Sequence, residues 1–396
     1  MQMTLFVAFG LPGTMFSWGT AALNSIAHEA FGECSTVEVE TLPQLQEAWR
    51  NRTGKAMVLT SHYPDAELCE FLMRSNAPYL IFTEDVLDSL AWLIRSTGTG
   101  DIAAVRALSA SLACIAQMRP HPLLISVQRQ KMEAVQIHRI LGHLCRSLGV
   151  NLSKDGIMRC LEQLGTDLSG PAPGLARIPT FEQSAARLSD RYKAPGNNQD
   201  DIAPDLRAIA VDVLRPADGS VVRTPIKQMT WPLQTFLLAD RSGENAVSGI
   251  ELVGRARCVA YGPYFHLPPG EWTAKFSMRI DSEIYGQIFT IEIHNSTLLG
   301  KIRIRPSKTG SFLAEAQFLV GRAKEPIEVR LFTESGAIEG EIAHWSVELV
   351  PFVADNKPDN SAVSNTDRPS ETARGNADSA DTARRASEQA VTGAVE

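Results

Sequence analysis

The hydrophobic pattern changes once along the chain, near Lys227, and this change constrains the fold more than any single motif. Before it, short apolar runs alternate with stretches in which apolar residues recur every three or four positions, as strands alternating with helices do. After it, runs of apolar–polar alternation follow one another, separated by turns rich in Gly, Pro, Asn and Ser. The sequence therefore predicts a three-layer α/β unit with a mostly parallel sheet, followed by an antiparallel β-sandwich of jelly-roll type.

Four segments follow from this pattern. We expect an α/β domain over residues 1–168, a linker and substrate-side segment over 169–226, a sandwich over 227–353 and a tail over 354–396. The tail is polar and has almost no large apolar residues, so it cannot bury enough surface to offset chain entropy and is predicted to be disordered.

Charge and cysteine usage limit the functional classes. The net charge of −7 argues against non-specific binding to nucleic acid. Six cysteines lie singly, without a C-x-x-C pair, which favours reduced thiols and a cytoplasmic location over disulfides or zinc. The apolar start is short and lacks a basic region, so we interpret it as a strand and not as a signal peptide. No apolar run is long enough for a transmembrane helix.

The turn after the first strand is the first candidate site. The strand over residues 5–10 ends in Gly10-Leu11-Pro12-Gly13-Thr14, and a helix is predicted from Ser17 onward. Backbone N–H groups at the start of a helix form a generic cradle for an anion or a phosphate. The loop is not a Walker A loop, which needs G-x-x-x-x-G-K-[ST]. The alternative is a plain strand-to-helix turn.

Three strand ends are expected to meet around this turn. Residues 10–17, 61–64 and 84–88 each follow a predicted strand of the parallel sheet. Ligands of such sheets bind in the crevice at the carboxyl ends of the strands. We therefore expect one site built from these three segments.

Three motifs in this half are similar to those of one family. GLPGTMFSW at residues 10–18 is similar to the pattern G-x-P-[KR]-[ST]-G-[ST]-[ST]-W, and FTEDVLD at 82–88 keeps two acids of R-[DN]-P-x-D. SLGVNL at 147–152 is similar to the ending F-L-G-[LV]-x-[LF]. On these motifs, residues 5–165 resemble the sulfotransferase family, whose members transfer a sulfuryl group from adenosine 3′-phosphate 5′-phosphosulfate (PAPS).

The resemblance implies a P-loop-like fold, PAPS as cofactor and a carbohydrate hydroxyl as acceptor. It assigns cofactor binding to residues of the first loop and helix: Gly10, Gly13, Thr14, Ser17 and Trp18. Ser17 would hold a phosphate oxygen, or it would merely cap the helix.

The motifs also depart from the family pattern at three positions. Gly13 replaces the loop cation, Met15 replaces the second loop glycine, and Glu84 replaces the arginine that pairs with the 3′-phosphate. Charged hydrogen bonds are worth roughly 1.5–3 kcal/mol each, so two lost cations should weaken donor binding by several kcal/mol. Replacement cations from elsewhere in the fold are Arg95, Arg106, Arg129 or Lys131.

His62 is the candidate catalytic residue. It follows the third strand, and histidine is suited to act as a general base at neutral pH. The alternative is a histidine that hydrogen-bonds a loop carbonyl. Four nearby carboxylates are candidate bases or, as is common at helix starts, caps and dipole partners: Asp65, Glu84, Asp85 and Asp88. His138 and His143 do not have metal-ligand spacing, and no metal is expected.

The second half carries a sequence motif similar to one in jelly-roll modules of bacterial glycan-processing enzymes. The motif runs from Gly254 to Trp272, and the resemblance to these modules covers residues 230–352. Its rings offer either sugar stacking or core packing: Tyr261, Tyr264, Phe265 and Trp272. A basic run is either a solvated strand face or a contact for an acidic glycan: Lys301, Arg303, Arg305 and Lys308.

Two main hypotheses for the function remain, beside a third possibility, a P-loop-like domain adapted to another phosphorylated ligand. In the first, the chain transfers a sulfuryl group from PAPS to a carbohydrate hydroxyl, with His62 as base and the first loop holding the donor. In the second, the chain is a non-catalytic glycan-binding or scaffold protein whose nucleotide site has decayed, which Gly13, Met15 and Glu84 favour. A glycan is the partner in both.

Overall fold

Both predicted units are present in the structure, a computed structural model. It describes residues 4–75, 78–98, 100–118, 124–166, 178–195, 197–218, 226–241, 243–280 and 287–352. The predicted tail over 354–396 lies outside these residues, as do positions 169–177 and 219–225 of the predicted linker. Within the described residues, no helix combines the length and the apolar character needed to cross a bilayer.

The first unit is built on a five-stranded parallel sheet. Its strands are β1 (Thr4–Gly10), β2 (Cys34–Glu38), β3 (Ala56–Ser61), β4 (Tyr79–Thr83) and β5 (Leu124–Gln128). They lie in the order β2-β3-β1-β4-β5, and β3 and β4 are buried along their whole length. Because β1 has β3 on one side and β4 on the other, the chain order reverses there, and the carboxyl ends of β1 and β4 lie at the switch point where ligands of such sheets bind.

Eleven helices are described in the first unit and the segment after it. They are α1 (Thr14–Phe31), α2 (Leu42–Arg50), α3 (Ala66–Arg74), α4 (Val86–Thr97), α5 (Ile102–Ala116), α6 (Arg129–Met132), α7 (Ile137–Ser147), α8 (Lys154–Gln163), α9 (Phe181–Leu188), α10 (Pro204–Val213) and α11 (Arg215–Asp218). Six of them are capped by side-chain oxygens, so the sequence marks these starts locally: Thr41, Asp65, Asp85, Asp101, Ser153 and Thr180.

Three predictions about helices were wrong. Helix α1 begins at Thr14, three residues before Ser17. Apolar residues at helical spacing over 131–148 predict a single helix there, but the structure has two, α6 and α7. The backbone between them pairs with a distant segment: the Phe181 N–H donates to the Val135 carbonyl, and the Ile137 N–H donates to the Pro179 carbonyl. No helix is predicted over 178–195 within the segment interpreted as a linker, but α9 lies there, and α10 and α11 follow it.

The second unit consists of two antiparallel sheets. Its strands are β6 (Met229–Pro232), β7 (Leu237–Leu238), β8 (Ile250–Glu251), β9 (Cys258–Phe265), β10 (Gly270–Ile280), β11 (Phe289–His294), β12 (Leu298–Ile304), β13 (Gly310–Val320), β14 (Ile327–Thr333) and β15 (Glu341–Pro351). One sheet has the order β13-β10-β15-β6, with β8 also on β15, and the other has the order β12-β11-β14-β9-β7. Alternate residues of β10, β14 and β15 are buried, as expected for strands with one face in a core.

The two units share one hydrophobic core, which runs from β1 through α10 to the inner faces of the sandwich. Polar contacts cross the same junction. Arg106 Nε donates to the Pro263 carbonyl at 2.7 Å, and Lys324 Nζ lies 2.8 Å from a Glu40 carboxylate oxygen. The segment around Pro263 therefore connects the sandwich to α5.

Tyr264 is held in a left-handed backbone conformation at this junction, with φ of 66°. This conformation is strained for a bulky residue. The side chain is fixed from two sides, because the Arg106 guanidinium lies 5.4 Å from the ring centre and the hydroxyl donates to Glu328 Oε1 at 2.9 Å.

Candidate functional site

The anion cradle at the start of α1 holds a carboxylate of the chain itself. Glu84, directly after β4, accepts hydrogen bonds from the Thr14 N–H at 2.8 Å and from the Met15 N–H at 3.4 Å. Its side chain is only 2% exposed. The N–H groups and the positive end of the helix dipole, which would receive a phosphate in the predicted site, are directed at Glu84.

Arg129 is the cation of this site, and it is shared between two carboxylates. It directly follows β5, and its side chain is 1% exposed. Nη1 lies 3.0 Å from Glu84 Oε2, while Nε and Nη2 each lie 2.8 Å from an oxygen of Glu182. The planar guanidinium of Arg129 thus makes a bidentate ion pair with Glu182 and one hydrogen bond with Glu84.

The pKa values follow from burial and from this sharing. Burial raises the pKa of the Glu84 carboxyl to about 7, against the opposing effect of Arg129. Burial also opposes the charge on Arg129, but its hydrogen bonds to Glu182 and Glu84 outweigh that effect and raise the pKa of Arg129. Arg129 is therefore always charged, and its charge is already used by the two carboxylates beside it.

Gly13 is required by space and not by backbone conformation. Its φ of 171° is extended and open to any residue, but a Cβ atom there would lie 1.6 Å from Glu84 Oε1. The small residue in the place of the family's cation therefore makes room for the carboxylate. Gly10 is similarly enclosed, since its Cβ would lie 2.5 Å from Phe16 Cδ2.

The other predicted cofactor-binding residues have different surroundings. Thr14 is buried and contributes its backbone N–H to Glu84. Ser17 is exposed in the first turn of α1, with its N–H bonded to the Gly13 carbonyl. Trp18 is buried, and its Nε1 donates to Ser184 Oγ at 2.9 Å. The structure thus groups Gly13 and Thr14 around the cradle, while Ser17 faces solvent and Trp18 anchors α9.

His62 lies against the same loop. Its Nδ1 is 2.6 Å from the Gly10 carbonyl, and its ring centre is 4.2 Å from that of Phe16. Burial lowers the pKa of His62 and outweighs the bond to Gly10, so the ring is neutral at pH 7 with its proton on Nδ1. This is the geometry of the predicted structural alternative, and the catalytic role stays a prediction.

The remaining strand-end carboxylates act at helix starts. Asp65 accepts from the Leu68 N–H and Asp85 from the Leu87 N–H, and Asp88 is buried in the first turn of α4. Asp218 lies beside Asp85, and its pKa is raised to about 7, first by burial and then by the charge of Asp85. The capping interpretation of Asp65 and Asp85 thus agrees with the geometry.

Two of the other replacement cations have partners elsewhere: Arg95 pairs with Asp201 at 2.9 Å, and Arg106 binds the sandwich. The third, Lys131, is exposed on α6. Sequence reasoning missed Glu182 because it lies in the segment predicted as a linker, 53 positions from Arg129. The capping box at Thr180, which starts α9, was the local signal that a helix begins there.

The aromatic residues of the sandwich divide into two groups. Phe265 and Trp272 are buried in the core, whereas Tyr261 and Tyr264 are half-buried. In the basic run, Lys301 pairs with Glu292 at 3.0 Å, and Arg303 pairs with Glu334. Among the described residues, no group of three or more His, Cys, Asp or Glu is placed to hold a metal ion.

No protein-family model and no curated protein matches the chain. Among solved structures, it is similar to a mouse sulfotransferase complexed with PAP, at 8% identity and a TM-score of 0.34, over 52% of this chain and 81% of that chain.

The chain is also similar to a carbohydrate-binding module in complex with beta-1,4-galactotriose, at 9% identity and a TM-score of 0.19, over 32% of this chain and 87% of that chain. A xylanase of Clostridium thermocellum complexed with xylohexaose gives 11% identity and a TM-score of 0.19, over 31% of this chain and 25% of that chain. Likeness at this level does not bear on function.

Proposed function

We propose that this chain is a non-catalytic glycan-binding protein whose anion cradle is filled by its own Glu84. The observation that carries the proposal is the Glu84 carboxylate, 2.8 Å from the Thr14 N–H and ion-paired with a buried Arg129. A ligand anion at this place would have to displace a carboxylate that is held by three donors.

PAPS does not fit this cradle. The two carboxylates of Glu84 and Glu182 surround the single guanidinium of Arg129, so the site carries no spare positive charge for a phosphosulfate. The loop also has no room for a basic side chain at Gly13. Bringing a multiply charged donor to a buried carboxylate is strongly unfavourable, because like charges in a low dielectric repel and lose hydration.

The outer face of the second sheet supports the proposed binding of a glycan. Strand register places four residues in one row across β9, β14, β11 and β12: Tyr261, Arg330, Glu292 and Lys301. Arg330 and Lys301 are 39% and 54% exposed. A ring beside charged hydrogen-bonding groups suits a sugar, which has an apolar C–H face and polar hydroxyls.

The cradle is tested by thermal unfolding of the full chain with PAP and with sulfate. The wild type should show no shift at millimolar ligand. Glu84→Ala leaves the Thr14 and Met15 N–H groups and Arg129 without this carboxylate, so millimolar sulfate should raise its Tm by about 2 °C or more. The matched control is Asp65→Ala, which removes another helix-capping carboxylate and should show no sulfate effect.

A rise in the Tm of the wild type with PAP would overturn the proposal and restore sulfuryl transfer as the leading hypothesis. The glycan half is tested separately on a glycan array. Tyr261→Ala should reduce binding of any retained glycan at least about tenfold, equal to 1.4 kcal/mol, while Leu319→Ser on the other sheet should not. An array without any retained glycan would contradict it.

A further inference from the structure

A groove lies at one end of the sandwich, separate from the proposed glycan-binding face. It lies between the loop that joins β7 to β8 and the turn that precedes β15. Its volume is about 760 Å³, within the range of sites that enclose several side chains of a ligand. It shares no residue with the row of Tyr261 and Arg330.

The groove is preformed, because backbone hydrogen bonds tie its two walls together. The Leu252 N–H donates to the Gly340 carbonyl at 2.9 Å, and Gly254 and Ala337 exchange two bonds of 2.8 Å. Ile250 and Leu252 are buried beneath it in the core. A ligand therefore does not need to order these walls, which lowers the entropic cost of binding.

The charge of the groove is negative. Five carboxylates line it: Asp240, Glu244, Glu251, Glu339 and Glu341. Two guanidiniums offset part of this charge, that of Arg241 in the lining and that of Arg257, which pairs with Asp240 at 3.2 Å. Arg241 lies 3.5 Å from Glu251 and 3.9 Å from Glu244. Glu339 and Glu341 form no ion pair with any residue that the structure describes. A concave surface of one sign concentrates ligands of the opposite charge.

Aliphatic side chains stand exposed on the rim of the same groove. Ile338 is 94% exposed, Val247 is 70% exposed and Val253 is 42% exposed. Exposed apolar groups rimmed by polar ones mark contacts with other proteins. None of the described lining residues carries an aromatic ring, whereas stacking on rings is the main apolar contact available to a sugar.

We propose that this groove binds a cationic peptide segment of a partner protein, in which lysine or arginine alternates with aliphatic residues. The cationic groups pair with Glu339 and Glu341, and the aliphatic groups pack on Ile338 and Val247. Charge complementarity selects the peptide, and the rim supplies the affinity that exposed ion pairs lack.

The test is selection of a displayed library of random twelve-residue peptides on the full chain. The enriched peptides, synthesised with a fluorophore, are then measured by fluorescence anisotropy. We expect them to combine lysine or arginine with aliphatic residues and to bind more weakly as salt is raised. Ile338→Ser and Glu339→Lys should each weaken binding at least about tenfold.

The controls make the same changes on the outer face of β13. Leu319→Ser and Glu315→Lys also alter exposed side chains and should leave peptide affinity unchanged. Enriched peptides without cationic residues, or equal affinity for the groove variants and the controls, would overturn the proposal. A glucosamine hexamer that binds the groove while the peptides do not would overturn the choice of a peptide.

Discussion

At the scale of single residues, the cradle consists of three residues, each of which requires the other two. Gly13 leaves the space, Glu84 occupies it, and Arg129 balances the buried charge. Removing one member of a buried ion pair leaves the other charge uncompensated, which is more damaging than removing both. The three positions should therefore behave as a unit in mutational experiments.

Arg129→Met should lower the free energy of unfolding by about 3–5 kcal/mol, because Glu84 then stays buried without a cation. The double variant Glu84→Gln with Arg129→Met should recover part of this loss. Urea denaturation of the three proteins checks both statements. A loss below about 1 kcal/mol for Arg129→Met would mean that water reaches the pair.

Stability should fall as pH rises from about 4 to about 7. The pKa of Asp218 is raised in the folded protein to about 7 from the ordinary 3.8, so the folded state holds a proton that the unfolded state has lost in this interval. Glu84 acts in the same direction. In Asp218→Asn, the decrease in the free energy of unfolding between pH 4 and pH 7 should be smaller by about 1 kcal/mol or more. A pH series of urea denaturation curves measures this slope, and an unchanged slope in the variant contradicts the assignment.

At the scale of elements, α9 supports the cradle through two of its side chains. Its second residue, Glu182, holds Arg129, and two residues later Ser184 accepts from Trp18 and donates to the Leu164 carbonyl. The helix has only eight residues, so its stability comes from these contacts more than from its own length.

Trp18→Phe should increase local unfolding of α9 and of no other helix. The variant keeps the ring contact with Phe181 but loses the hydrogen bond to Ser184, a loss of about 1 kcal/mol. Hydrogen exchange of residues 181–188 should become faster, while that of α2 stays unchanged. Trp49→Phe, on α2, is the control, and equal acceleration in both variants would show a global effect instead.

The same elements show what the sequence could predict and what it could not. Apolar periodicity predicts helices over 42–50 and 66–74, and these are the bounds of α2 and α3, because periodicity and caps such as Asp65 are local signals. The break after α6 and the filled cradle depend on partners far along the chain. Thr14 and Glu84 are 70 positions apart, and neither residue alone indicates that the other will bind it. Glu84 was identified as a departure from the family pattern, but its hydrogen bonds were not foreseen.

At the scale of the whole molecule, the two units form one cooperative body through a shared core and a polar junction. The hydrophobic cluster includes residues of β1 and of β15. Arg106 reaches from α5 to the Pro263 carbonyl and to the Tyr264 ring, and the His266 N–H donates to Ser109 Oγ at 3.2 Å. We therefore expect the parallel sheet and the sandwich to unfold together.

Scanning calorimetry of the wild type should show a single transition. Arg106→Met should lower the unfolding free energy by about 1.5–3 kcal/mol, because the Pro263 carbonyl loses a charged donor, and should leave one transition. Arg74→Met, at an exposed helical pair, should have almost no effect. Two separate transitions in the wild type would contradict the shared core.

The contact between Gly13 and Glu84 also sets an order on how such a chain can change over generations. Any residue larger than glycine at position 13 displaces the carboxylate, so a basic loop residue disrupts the hydrogen bonds of Glu84 to Thr14, Met15 and Arg129. Replacement of Glu84 before Gly13 is the less costly order, because Arg129 then keeps its bidentate pair with Glu182. A return to a basic loop residue thus takes two ordered substitutions instead of one.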